Sequence, residues 1–132
     1  MIEYIALTNF LSFRDRTELN MKATKEKPRG SLSASDWWTE INKTKLLKVA
    51  FLLGNNGSGK TNFLNGISVL HDLVIVNRNS KSASRNRLPN MSFELSDETK
   101  NAPSTIDVAF YTEGFRYRYS ISWTPDCIVS EA

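Results

Sequence analysis

The stretch Gly54-Asn55-Asn56-Gly57-Ser58-Gly59-Lys60-Thr61 satisfies the spacing G-x-x-x-x-G-K-[ST] at every position. Those residue types, in that order, bind phosphate. A glycine-rich loop that enters a helix turns several backbone N–H groups toward one point, where the helix dipole also favours an anion. Gly54, Gly57 and Gly59 let the main chain approach phosphate oxygens that a Cβ would hold off. Lys60 is placed to reach β- and γ-phosphates, and the Thr61 hydroxyl to take one position around a Mg²⁺ that draws the others from water and phosphate. The candidate phosphate-contacting residues are Asn55, Asn56, Gly57, Ser58, Gly59, Lys60, Thr61 and Asn62, with Thr61 as the metal ligand.

Such a loop needs a strand to deliver it and a helix to leave it. The apolar run Val49, Ala50, Phe51, Leu52, Leu53 predicts a buried strand, and Phe63, Leu64, Ile67, Leu70 and Val74 follow helical spacing over residues 60–76. Gly66 inside that helix costs roughly 1 kcal/mol relative to Ala, which a close helix-to-strand approach would explain. His71 falls at the edge of the expected buried stripe and reads as structural.

Composition narrows the class. A chain of 132 residues suffices for one domain, or for a piece of a larger one. Lys and Arg exceed Asp and Glu by 17 to 14, too mild a balance to argue by itself for nucleic acid. The single cysteine, Cys127, excludes an internal disulfide and a multi-cysteine metal site and reads as a small core or edge residue; the single histidine excludes a multi-histidine site. No apolar run has the length of a membrane span, and Met1-Ile2-Glu3-Tyr4 lacks the regions of a signal peptide, so a soluble cytoplasmic protein is expected.

Along the chain, residues 2–10 predict a strand covered on both sides, and residues 17–22 a half-buried antiparallel partner, with Phe10 and Phe13 packing at the turn between them. Residues 23–45 predict an insertion loop broken at Pro28 and Gly30, with one or two helical turns capped by Ser35 or Asp36 and the pair Trp37-Trp38 pinning it to the sheet. Residues 78–104 read as a basic, polar loop carrying Arg78, Lys81, Arg85 and Arg87, then a short strand at 91–95 and a turn-rich connector. From residue 105 the alternation of Ile106, Val108 and Phe110 with polar neighbours, the turn Glu113-Gly114 and the run Phe115, Tyr117, Tyr119, Ile121, Trp123 predict a β-hairpin. Its aromatic face belongs on the core, Arg116 and Arg118 in solvent, and Ile128-Val129-Ser130-Glu131 begins a further strand.

Leu7-Thr8-Asn9-Phe10-Leu11-Ser12-Phe13, followed by Phe51-Leu52-Leu53, the glycine loop and Asn62-Phe63-Leu64, resembles the N-terminal lobe of the SMC-like branch of ABC ATPases, which includes RecF, chromosome-maintenance ATPases, OLD-type nucleases and bacterial "AAA family" defence ATPases. The resemblance implies an α/β fold, a P-loop NTPase head whose N-terminal lobe carries an antiparallel β-subdomain, with residues 1–132 as the N-terminal portion of that head. Its segments would be strands over 1–22, an insertion over 23–45, strand, P-loop and helix over 46–77, a loop with a short strand over 78–104, and a hairpin with the next strand over 105–132. It implies ATP and Mg²⁺ as cofactors, the eight loop residues as a Walker A site, and Phe13 and Arg14 near the base and ribose. Relatives hydrolyse ATP between two heads that dimerise on nucleotide, acting on nucleic acid or an accompanying effector nuclease. They also use a Walker B acid pair, a signature motif, a glutamine and a switch histidine. This sequence contains no glutamine, Asp97-Glu98 follows no buried apolar strand, and Leu11 stands where many relatives carry a basic residue. The resemblance therefore implies the N-terminal part of a head without its other half, expected to bind ATP–Mg²⁺ weakly, if at all, and not to turn over alone.

Two rivals come from other classes. A complete small P-loop kinase would need a lid and parallel strands, and Asn42-Lys43-Thr44-Lys45 is no guanine-specificity motif because it lacks a closing Asp and precedes the loop. A non-catalytic nucleic-acid or partner-binding module would keep the loop as an anion site and use the basic stretch and the tryptophans.

Overall fold

The computed structural model describes residues 1–24, 34–76 and 88–132. The breakers Pro28 and Gly30 and the basic residues Arg78, Lys81, Arg85 and Arg87 lie outside the described residues. Five strands form one antiparallel sheet: β1 (Ile2–Thr8), β2 (Thr17–Asn20), and, after two further strands described below, β5 (Ser104–Thr112), β6 (Phe115–Trp123) and β7 (Ile128–Glu131), in the spatial order β2-β1-β5-β6-β7. The turn Glu113-Gly114 has positive φ at both positions (51° and 79°), the handedness that suits a two-residue hairpin.

Helix α2 (Lys60–His71) crosses one face of the sheet and continues as a π-helical turn over Asp72–Val76, so the expected extent holds while its last turn is wider. Its buried line is Phe63, Gly66, Val69 and Leu73, whereas Leu64, Ile67 and Val74 are exposed; the expected stripe is rotated. Gly66 is the cause. A Cβ there would lie 2.7 Å from Leu7 Cδ2 and 2.8 Å from Cδ1, so the glycine brings the helix onto β1 and turns the 63-66-69-73 line inward. Phe63, Val69 and Leu73 pack with Ile5, Leu7, Phe10, Ile106, Val108, Ile121 and Trp123, each such burial stabilising by about 1.5–3 kcal/mol. The hairpin's aromatic face is covered only at this end, so Ile121 and Trp123 are buried while Phe115 and Tyr117 are exposed, Tyr117 stacking on Phe110 with centroids 5.6 Å apart.

Part of the expected insertion is ordered structure. After the single turn α1 (Ala34–Trp37), β3 (Trp38–Ile41) and β4 (Thr44–Leu47) form a second hairpin whose turn, Asn42-Lys43, has φ of 49° and 64°. Lys45 Nζ sits 4.3 Å over the Trp38 ring. Fully buried Leu46 bridges to Lys22, and the Tyr111 hydroxyl donates to Thr44 Oγ1, so this hairpin covers the sheet's other face.

Three other expectations change. Residues 49–53 form no strand: they are in no sheet among the described residues, and Phe51 and Leu53 are 78% and 90% exposed, because an apolar run becomes a buried strand only where neighbours pair with it. Residues 91–95 are likewise irregular and lead into the one-turn helix α3 (Asp97–Lys100), because side chains take their backbone bonds. Phe93 N–H donates to Asn9 Oδ1 at 2.9 Å, and the Thr99 hydroxyl to the Phe93 carbonyl at 2.7 Å. Cys127 is exposed, its backbone carbonyl accepting Thr124 N–H at the turn into β7.

The Asn9 side chain makes four hydrogen bonds. Buried and at φ 49°, it ends β1 and donates Nδ2 to the carbonyls of Thr99 (2.9 Å), Ala102 (2.9 Å) and Pro103 (3.2 Å) while accepting Phe93 N–H. Glu3 is the other buried polar anchor. Its carboxylate is 1% exposed and takes Arg116 in fork geometry, Nε to Oε2 at 2.6 Å and Nη2 to Oε1 at 3.2 Å, with Lys22 Nζ at 2.8 Å. Arg116, expected in solvent, is thus engaged. The Arg116 hydrogen bond, against burial and with help from Lys22, lowers the Glu3 pKa from 4.5 to about 2.

Two predictions follow from these anchors. Asn9→Ala strands Phe93 N–H and three carbonyls and lowers unfolding free energy in urea by roughly 2–3 kcal/mol; a loss below 0.5 kcal/mol would show that water replaces the amide. Because the Glu3 pKa is depressed on folding, its stabilisation is full above about pH 4.5 and is lost as pH falls through about 2. Arg116→Met therefore moves the acid-unfolding midpoint to higher pH and Arg118→Met leaves it in place; coincident acid titrations of Arg116→Met and wild type would refute the pairing.

Candidate nucleotide-binding loop

The glycine loop meets α2 at Gly59, which caps the helix in the left-handed region at φ +90° and offers no side chain to its first-turn N–H groups. The loop residues gather as the sequence predicts: Asn56, Gly57, Ser58, Gly59, Lys60, Thr61 and Asn62 line one hollow of about 230 Å³. Gly57, at φ +82°, has nothing within 4 Å where a Cβ would stand, so the main chain is open to an anion. A phosphate group fits this cradle: it lies at a helix N-terminus, whose first-turn N–H groups have no partner in the helix ladder, and the hydroxyl-bearing Thr61 on its wall suits Mg²⁺, which prefers oxygen ligands.

Lys60 folds back over the loop. Its ammonium donates to the Gly54 and Asn55 carbonyls, both at 2.7 Å, and to Ser58 Oγ at 3.3 Å. Asn55, expected among the phosphate contacts, lines neither hollow and meets Lys60 through its carbonyl. A second hollow, of about 360 Å³, opens on another side of the loop between Phe13, Thr17, Glu18, Leu19, Phe51 and Phe63, with Gly54 and Lys60 also on its wall.

The two residues expected near the base and ribose separate. Phe13 stays at the loop, its ring edge-on to Phe63 with centroids 6.0 Å apart. Arg14 turns to Glu98, Nη2 to Oε2 at 3.0 Å, and lines neither hollow. Asp97 and Glu98 are exposed on α3, paired with Lys100 and Arg14. His71, expected at the stripe's edge, is exposed beside Asp72 at 3.2 Å.

The sequence did not single out Ser12. Its hydroxyl accepts Asn62 Nδ2 at 3.1 Å and lies 2.7 Å from where a Gly59 Cβ would be, with Phe13 Cζ at 3.0 Å from the same point. The turn after β1 therefore presses on the helix cap. Its sequence signal was the spacing of Asn9, Phe10, Ser12 and Phe13: the first two face inward, Phe10 fully buried against Trp123, and the last two face the loop.

Among the described residues no group of three or more His, Cys, Asp or Glu could hold a metal, and no helix is long and apolar enough to cross a membrane. The model of a protein family described as "AAA domain, putative AbiEii toxin, Type IV TA system" matches residues 49–131, well over half of the chain. No curated protein and no solved structure matches it.

Alanine at the loop's left-handed glycines, Gly57 and Gly59, separates backbone strain from crowding. Each loses about 1–2 kcal/mol for its positive φ, but Gly59→Ala also collides with Ser12 and Phe13 and is the more destabilising in urea unfolding. Equal losses for Gly57→Ala and Gly59→Ala would show that the turn does not press on the cap.

Proposed function

The chain belongs to this AAA-domain family, that of P-loop ATPase-like nucleotide-binding proteins, and on that premise we propose that its loop holds the phosphates of ATP with Mg²⁺. The observation that carries the reading is the cradle itself: Gly59 caps α2 with no side chain of its own, and residues Asn56 to Asn62 surround a hollow of about 230 Å³ at the helix N-terminus. In this reading the N–H groups of the loop and of the first turn of α2 hold the β-phosphate. The Lys60 ammonium exchanges at least one of its carbonyl partners for a phosphate oxygen, which it can do because it is held by hydrogen bonds to neutral groups alone. The Thr61 hydroxyl and phosphate oxygens would hold Mg²⁺, whose charge offsets that of the triphosphate. The hollow beside Phe13 and Phe51 accepts what the triphosphate is attached to.

At a finer level, residues 1–132 form the Walker A portion of an SMC-like, ABC-type ATPase head. The antiparallel sheet supports this, since every strand pair among the described residues is antiparallel, as a β-subdomain requires and a small kinase core does not. The remaining half of the head supplies the Walker B acid, the signature motif and the switch histidine. Two heads close on ATP in the cytoplasm and drive an action on nucleic acid or an effector nuclease.

Calorimetry with ATP and Mg²⁺ tests the reading. Wild type binds saturably, Lys60→Ala binds at least about tenfold more weakly, a difference of about 1.4 kcal/mol, and neither releases phosphate. Equal affinity of wild type and Lys60→Ala would sink the assignment, and turnover by the wild-type chain alone would favour a self-contained kinase or NTPase.

A further inference from the structure

Resting on the ATP reading above, the geometry points to a positioning role for two side chains that touch no reacting group: we propose that the Ser12–Asn62 hydrogen bond fixes the first turn of α2 in its phosphate-binding register. Asn62 stands on the third residue of the helix, in the turn whose N–H groups have no partner in the helix ladder, and its amide is directed away to the Ser12 hydroxyl at 3.1 Å. Asn62 is among the residues that line the phosphate hollow, and its side chain holds the neighbouring turn.

That turn is itself immobilised from the other side. Asn9 ties it to residues 93–103 through four hydrogen bonds, Leu11 N–H donates to the Met91 carbonyl at 2.6 Å, and Phe10 is fully buried against Trp123. Ser12 is thus a fixed point, and the Asn62 amide is the polar side-chain link from it to α2. Gly59, the cap of the same turn of helix, faces the same residues: a Cβ there would stand 2.7 Å from Ser12 Oγ and 3.0 Å from Phe13 Cζ. A close approach at the cap and a directional hydrogen bond three residues on, both to Ser12, define the depth and the rotation of the helix start. A preformed anion site gains affinity from such fixation, because the N–H groups need not be ordered when the phosphate arrives.

A positioning pair makes a distinctive prediction. Ser12→Ala and Asn62→Ala each weaken ATP–Mg²⁺ binding about five- to tenfold, the double variant weakens it no further than either single one, and the amide resonances of Lys60 and Thr61 shift in both single variants. The midpoint of urea unfolding without nucleotide changes little, since Ser12 is exposed and Asn62 lies outside the core; far-UV circular dichroism checks that each variant is folded. If both single variants bind within twofold of wild type, the inference is overturned while the ATP reading stands. If their losses multiply in the double variant, the two side chains act separately and the pair is again overturned. Wild type that binds no better than Lys60→Ala overturns the ATP reading and the inference together.

Discussion

A single buried amide governs where the glycine loop sits. Asn9 must end β1 at φ 49°, give up both of its amide protons to three carbonyls, and accept one N–H. Few side chains meet those demands at once. Asp would present acceptors to carbonyls, Gly would tolerate the backbone but bond nothing, and a longer Gln would place its head group beyond the same partners. With Asn9 in place the chain reverses within five residues, the Phe10 and Phe13 backbones pair across the turn, and residues 12 and 13 emerge facing the cap of α2. The placement of a loop at residues 54–61 therefore depends on contacts between residue 9 and residues 93–103.

The loop is also self-satisfied. The Lys60 ammonium occupies carbonyls of the loop that it serves, so its charge is solvated by backbone and the loop is kept from collapsing into other shapes. An anion changes this balance only by its differential affinity for the state with Lys60 released. Neutral carbonyl partners at 2.7 Å compete weakly with a polyphosphate, whereas a buried carboxylate partner would compete strongly; the fork between Arg116 and Glu3 is an example of the second kind. The chain thus keeps a buried, forked ion pair for the sheet and a weaker set of bonds for the loop.

What was legible in the sequence was what local chemistry decides. The loop, the start of α2, the strands at residues 2–8 and 17–20 and the hairpin around Glu113-Gly114 are each specified by neighbours in the chain. The second hairpin was hidden because its turn, Asn42-Lys43, uses two non-glycine residues at positive φ, a conformation that composition does not advertise. The run 49–53 misled for the opposite reason: its composition is that of a strand, but strand formation depends on partners elsewhere. The rotation of α2 depends on how closely Gly66 meets Leu7, and the burial of Glu3 on which guanidinium crosses from β6; both are distances between segments far apart in sequence. Within the candidate site, the loop residues were proposed from spacing alone, whereas Ser12 was visible only as part of a pattern and stood out once its hydrogen bond to Asn62 was known.

The unpaired run at 49–53 changes how the loop's precision has to be explained. Where a loop springs from a central strand, ladder hydrogen bonds on both sides locate it. Here Val49, Phe51 and Leu53 are exposed and contribute no ladder, yet the loop still meets the helix cap in a defined way. The locating contacts are instead on the helix side: Gly66 seated on Leu7, Phe63 against Phe13, and Asn62 bonded to Ser12. All three join α2 to β1 or to the turn that follows it, spaced along the helix from its first turn to its middle. Three contacts at different heights fix both the tilt and the rotation of a rod, so α2 is located by the antiparallel sheet through its own face. The loop then inherits its position from the helix it enters.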